Sequence, residues 1–264
     1  MSTENPLDES WIDRYYANMN LLRIYLVTNT TKPRALQTLA DLKVWCQEHH
    51  IDALPVSEPV VSDDENAIVL ALGGDGTVLR AANFFANTAS PILGINLGSL
   101  GFLTQATIGD LPDVMDKLLA DQFKIEERMR LSYCAADIEG TVLNDIVVTG
   151  VKESSFCEIE LSWGDGIVST FPGDGVILAT ATGSTAYSLS AGGPVIVPPA
   201  ACILATPLSA HKLGLRPVIF PPEEIIRVVA RTQVRLFADG DYISELPSGV
   251  EIIVQRAEIP TYLI

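Results

Sequence analysis

LALGGDGTVLRAAN, from Leu70 to Asn83, carries an apolar run into a second hydrophobic segment through three glycines and one aspartate. The run that leads into it, AIVLAL from Ala67, has the length and branched composition of a buried strand, and TVLRAANFFA after it has helical spacing. A turn that takes a strand directly into a helix sits at the strand's carboxyl end, where open α/β sheets bind their ligands. Side-chain-free glycines let a ligand reach the backbone, and amides at a helix start attract phosphate oxygens. Asp75 adds a carboxylate that can accept a hydroxyl proton or position a metal. Such turns also occur for purely structural reasons, and the lysine of a Walker A loop is absent here.

Working outward, LLRIYLV (Leu21 to Val27) reads as a first strand, and RALQTLADLKVWCQEH as a helix with Leu36, Leu39, Leu42, Val44 and Trp45 at mainly helical spacing. PILGINL after the glycine segment reads as a third strand. Strand, helix, strand, helix, strand predicts a parallel, Rossmann-like α/β domain over 21–110 with right-handed crossovers. Residues 1–20 are polar, with Trp11, Tyr15 and Tyr16 as anchors, and read as a tail or short leading helix. After the helix-like LPDVMDKLLAD the texture changes to many short β-like runs, among them RLSYCAAD, CEIELSW, GVILAT and EIIVQ. This predicts a β-rich, sandwich-like second domain over 111–264, whose last residues are free to pack back on the first.

Composition narrows the function classes. The 264 residues are 48% hydrophobic with a formal net charge of −16, which disfavours nucleic acid and anionic membranes as partners because both need a basic footprint. No stretch reaches the length of a membrane span, and the polar start MSTENPLDES lacks a signal peptide's pattern, which points to a cytoplasmic protein. Cys46, Cys134, Cys157 and Cys202 are isolated, so neither a zinc site nor a disulfide framework is indicated. His49 and His50 lie at the polar end of a helix. A Ser-His-Asp hydrolase would have to recruit His211, and no GxSxG elbow is present.

Three further segments carry polar groups where chemistry could use them. LGINLGSLGFL places Gly94, Gly98 and Gly101 in a pattern that, alone, suggests tight packing. LNDIVV sets Asn144 and Asp145 at the edge of an apolar strand, where an amide and a carboxylate can read a ribose diol or simply form a turn. GDGVILATATGSTAYSLSAGGP offers Asp174, a short strand, and a small hydroxylated cluster from Thr182 that ends at Tyr187, whose ring can stack on a base.

Taken together, GGDGT at 73–77, GINLGSLGFL at 94–103, LND at 143–145, the run from Asp174 through TGSTAYSLSAGGP, and TPLSAHKLGLRP resemble the NAD kinase family in content and order. The resemblance spans roughly Leu21 to Gly240; GGDGT alone is shared with diacylglycerol and sphingosine kinases and, loosely, with phosphofructokinases. It implies transfer of a phosphoryl group from ATP or polyphosphate to the 2′-hydroxyl of the adenosine ribose of NAD, with a divalent cation, Mg²⁺ carried with ATP. By that likeness Asp75 is the general base, and Gly73, Gly74, Gly76, Thr77 and Arg80 meet the nucleotide beside it. Phe102 lines the adenine pocket and Asn144 and Asp145 hold the ribose diol, while Asp174, Thr182, Thr185, Ala186, Tyr187 and Ser190 line the NAD site. The family also implies an active site between the two domains and a homodimer or homotetramer whose neighbour completes the site. Position 145 is Asp where the family often has Glu, Ala181 stands where proline is usual, and the chain stops at EIPTYLI where relatives commonly continue. A diacylglycerol-type lipid kinase is disfavoured because VLRAAN replaces that group's continuation. A non-catalytic NAD- or NADP-binding regulator is the other alternative.

Overall fold

The computed structural model describes residues 21–30, 33–61, 64, 66–98, 101–151 and 156–264, so the leading segment 1–20 lies outside the described residues. Two compact units carry the chain: one runs to Glu127 and takes in Thr261–Ile264, and the other is Arg128–Pro260.

In the first unit β1 (Arg23–Thr28), α1 (Pro33–Glu48), β2 (Asp52–Pro55), β3 (Ala67–Gly73), α2 (Asp75–Phe84) and β4 (Ile92–Asn96) follow in order. The strands lie β2-β1-β3-β4 and pair in parallel. All seven residues of β3 are buried, as a continuous apolar run requires when both faces of a parallel sheet are covered. Helix α1 buries Ala35, Thr38, Leu42 and Cys46 at intervals of three and four, and Leu42 and Cys46 share a core with Ile24, Leu26, Ile68 and Leu70. The helix Leu111–Leu119 adds Met115 and Leu118 to that core. Strand β2 has no counterpart among the expected strands, because its four residues are largely exposed and carry no apolar pattern.

The order matters for function. The chain leaves β1 for β2 on one side and returns to β3 on the other, which makes the carboxyl ends of β1 and β3 a topological switch point. The glycine turn occupies that place. Asn29 N–H donates to Leu72 O at 3.2 Å, and Arg80 Nη2 donates to Thr28 O at 2.6 Å, tying the end of β1 to α2. Beyond β4, the strand Thr261–Leu263 pairs in parallel with Leu263 opposite Ile92, so the last residues described extend this sheet.

The second unit is a sandwich of two antiparallel sheets, β-rich as expected, but it begins at Arg128 rather than at 111, because the helix Leu111–Leu119 packs into the first unit's core. One sheet is ordered Gly166–Gly173, Cys157–Trp163, Ile226–Ala230, Glu251–Arg256, Leu131–Ala135, Ile138–Val142. The other is ordered Val218–Phe220, Ile203–Leu208, Gly175–Ala179, Asp145–Gly150, Val234–Ala238, Asp241–Leu246. Tyr133, Ile159, Phe171 and Val254 of the first meet Val148, Leu178, Ala205 and Leu236 of the second in one core. On the second sheet's other face Val147, Ile177, Ala179 and Leu204 pack with Ala191 and Ile196. Gly175–Ala179 is therefore buried on both sides and anchors the hydroxyl-rich segment that follows it. Among the described residues no helix is long and apolar enough to cross a membrane.

Leu70 is fully buried at the centre of β3. Leu70→Ala is expected to destabilise the first unit by about 2–5 kcal/mol, read as a lower urea midpoint with an unchanged slope.

Candidate functional site

Gly73 closes β3 where an added Cβ would stand 1.9 Å from Thr77 Oγ1, so only glycine lets the helix start this close to the strand. Gly74 and Gly76 differ: a Cβ at either meets nothing within 4 Å, which leaves open space above the first turn of α2. Asp75 stands between them, half-buried, with both oxygens engaged. Oδ2 accepts the Phe102 N–H at 2.9 Å and Oδ1 the Leu103 N–H at 3.1 Å. A carboxylate offers about four lone-pair positions, so Asp75 keeps acceptor capacity after clipping this loop to the helix.

The loop is shaped for that clip. Gly101 is tight against Asp75, since a Cβ there would lie 2.1 Å from Oδ1. Gly101 N–H donates to Thr104 Oγ1 at 3.0 Å, and the buried Asn96 donates to the same oxygen at 3.1 Å through Nδ2. Gly94 serves packing, since a Cβ there would stand 2.8 Å from Val78 Cγ2 and 3.0 Å from Leu103 O. Phe102 is 70% exposed beside this backbone, which leaves a face open to stacking. The first unit thus gathers Gly73, Gly74, Asp75, Gly76, Thr77 and Phe102 about one turn, with Arg80 a further turn along α2.

In the second unit LND and TGSTAY interlock through their backbones. Thr180 N–H donates to Asn144 O at 2.9 Å and Thr180 Oγ1 to Leu143 O at 2.6 Å, while Gly183 N–H returns to Thr180 Oγ1 at 3.0 Å. Gly183 must be glycine, because a Cβ would lie 2.1 Å from Asn144 O. Thr182 is buried and accepts from Arg128 Nη1 at 3.3 Å. Thr185 Oγ1 donates to Thr182 O at 3.2 Å, and Tyr187 and Ser190 of the short helix Tyr187–Ser190 stay exposed. Asn144, Asp145, Thr182, Thr185, Ala186, Tyr187 and Ser190 therefore cluster at one end of the strand Gly175–Ala179. Asp174 lies at the other end, where its carbonyl accepts from Gly150 N–H at 3.1 Å. Five strand residues, about 17 Å, separate it from the rest.

One residue of this region escaped the sequence analysis. Asp239 ends the strand Val234–Ala238, and its carboxylate accepts the N–H groups of Leu143 at 2.9 Å, Asn144 at 2.7 Å and Asp145 at 3.2 Å. Its pKa is raised by burial, held back by those three N–H bonds and by the Arg130 guanidinium. Burial first, then the Asp239 charge, push Asp145 up to about 7. Burial lowers Arg130 to about 10 against the pull of Asp239. The only cue to Asp239 in the sequence was an Asp-Gly pair after an apolar run, which signals a hairpin rather than a site.

Gly101 and Gly183 differ in what an added methyl group meets, a side chain in one case and backbone in the other. Gly101→Ala is expected to swing Asp75 aside, so hydrogen exchange at the Phe102 and Leu103 amides rises, with a loss of about 1 kcal/mol for the hydrogen bonds given up. Gly183→Ala has no such escape and is expected to lower the melting temperature by several degrees, about 1–3 kcal/mol.

Comparison with known proteins places most of the chain. The ATP-NAD kinase N-terminal domain model matches residues 59–123 and the ATP-NAD kinase C-terminal domain model residues 143–264. The NAD kinase of Moorella thermoacetica is 41% identical over 261 residues, covering 92% of this chain and 84% of that protein. The NAD kinase of Trichlorobacter lovleyi is 40% identical over 210 residues, or 76% of this chain and 74% of that one. Among solved structures, yeast NADH kinase complexed with NADH superposes with a TM-score of 0.84 at 26% identity, covering 93% of this chain and 84% of that one. An NAD kinase from Archaeoglobus fulgidus in complex with ATP gives a TM-score of 0.77 at 26% identity, covering 92% of each chain. With both family models matched, and a relative 41% identical over most of both lengths, this chain belongs to the NAD kinase family.

Proposed function

We propose that this chain is an NAD kinase, which moves the terminal phosphoryl group of ATP, or of inorganic polyphosphate, to the 2′-hydroxyl of the adenosine ribose of NAD. The observation that carries this reading is the Asp75 carboxylate. It is oriented by two backbone N–H donors, has lone pairs to spare, and stands at a sheet switch point between two glycines with open space above them. The ribose oxygen forms its bond to phosphorus as the bond to the ADP oxygen breaks, and Asp75 takes the hydroxyl proton.

Each unit contributes separately. From the first come the amides about Gly74 and Gly76 and the start of α2 for phosphate oxygens, with Arg80 behind them and the Phe102 ring for the adenine. From the second come Asn144 and Asp145 for the ribose diol, with Thr182, Thr185, Ala186, Tyr187 and Ser190 around the nucleotide. Among the described residues no three of His, Cys, Asp and Glu are grouped to hold a metal ion. A Mg²⁺ ion carried in on the donor's phosphates would neutralise charge on the transferred group.

The reading extends to assembly. Asp174 lies a strand's length from the other matched residues, and the strand between is buried on both faces, so no nucleotide can lie along it. A second copy of the chain supplies Asp174 to the site, as a homodimer or homotetramer allows. The acidic composition leaves nucleic acid and anionic membranes out of this function, which suits the cytoplasm.

NADP formation from NAD with ATP and Mg²⁺, and then with polyphosphate, tests the proposal in the wild type beside Asp75→Asn. The variant is expected to lose about 10²- to 10⁴-fold in kcat with NAD affinity changed only a few-fold. A folded wild type that binds NAD tightly and makes no NADP with either donor would establish the regulator instead.

A further inference from the structure

Asp239 and Gly240 form the turn between Val234–Ala238 and Asp241–Leu246, with φ of 49° and 88° and Ala238 opposite Asp241. Positive φ at both central residues is the tight hairpin that Asp-Gly and Asn-Gly pairs favour, so a turn alone accounts for Asp239 no better than it would for asparagine. What the turn leaves unexplained is the carboxylate. Three successive N–H groups, from Leu143, Asn144 and Asp145, converge on it, and Asp239 N–H donates back to Asp145 O at 2.9 Å. Thr180 meanwhile holds the carbonyls of Leu143 and Asn144 from the other side. Every peptide group of the LND turn is thus pinned, and the charged pin is Asp239.

We propose that Asp239 is a positioning residue for the nucleotide: its carboxylate fixes the one backbone arrangement in which Asn144 and Asp145 receive the ribose diol, and its charge tunes Asp145 as a hydrogen-bond partner. The proposal rests on the NAD kinase reading above. The groups that face the Asp239 carboxylate are Asp145, Arg130, which is 1% exposed and donates to Thr141 Oγ1 at 2.7 Å, and the Tyr133 phenol. Of the two carboxylates, Asp239 has three N–H donors and the guanidinium, so it keeps the negative charge, and the proton the pair retains near neutrality sits on Asp145.

A sign follows for binding. Ionised Asp145 accepts a ribose hydroxyl more strongly than the acid does, so NAD binding tightens as pH rises through about 7, the value burial and Asp239 impose on Asp145. Removing the like charge lowers that value, and the pH break moves down with it.

The test is KM for NAD and kcat from pH 5.5 to 8.5 in the wild type and Asp239→Asn, which keeps the hairpin. The variant is expected to show KM raised about tenfold at pH 8, kcat within about threefold of wild type, and a break in KM displaced to lower pH. A folded Asp239→Asn with the wild-type KM and pH profile overturns the proposal and leaves Asp239 a hairpin residue. A wild type that makes no NADP overturns the kinase reading instead, and the same pH comparison on the NAD dissociation constant by calorimetry then decides the role of Asp239. Should the variant not fold, hydrogen exchange at the wild-type amides of 143–145 decides: fast exchange overturns the proposal, and slow exchange that is released as Asp239 protonates in acid supports it.

Discussion

Five backbone N–H groups in two loops end on two carboxylates, two on Asp75 and three on Asp239. An N–H that leaves a strand without an acceptor costs roughly 1–3 kcal/mol when buried, so each acid selects the loop conformation that brings the donors to it. Much else in both units is arranged around that requirement. Gly101 lacks a side chain because Asp75 occupies its place, and Gly183 lacks one because the carbonyl of Asn144 does. Thr104 and Thr180 hold the same two loops from behind with their hydroxyls. A mechanism that needs a carboxylate at a fixed point obtains one that the backbone already holds.

The same arrangement answers how a chain of net charge −16 accommodates phosphates. Long-range attraction is unfavourable, and the positive potential has to be local. In the first unit it comes from amides and the start of a ten-residue helix, with glycines that keep the approach clear. In the second, Arg130 behind Asp239 and Arg128 on Thr182, beside the LND turn, are buried and so act on the protein's own groups. Surface charge can then be acidic without weakening the site.

How much of this could be read from the chain depended on how far apart in sequence the partners lie. The strand-turn-helix at 70–83 was legible because each requirement is local: an apolar run, glycines at the close approach, helical spacing after. TGSTAY was legible as a small, hydroxylated segment open to a ligand, and the structure adds that the backbone of Asn144 is what approaches Gly183. Strand β2 was not, since largely exposed Asp52–Pro55 shows neither alternation nor a hydrophobic run. Thr261–Leu263 was legible only as an end of the chain free to pack back on the first domain, since no local pattern names β4 as its partner across most of the chain. Asp239 was hidden for a related reason, because a residue that completes a turn 94 to 96 positions away looks, from its neighbours, like the first residue of a hairpin.

The short side chain at 145 belongs in the same account. A glutamate would carry its carboxyl one methylene farther from the backbone that Asp239 holds. With aspartate the carboxyl stays 4% exposed beside that charge, and the conflict between two buried acids is relieved by a proton rather than by distance. The cost falls on folding, because between about pH 4 and 7 the folded chain keeps a proton on Asp145 that the unfolded chain has released, and stability declines as pH rises through that window. A buried like-charge pair with that penalty persists where the charge does something a neutral turn residue cannot. Here the three N–H groups on Asp239 and the guanidinium behind it are what the charge serves.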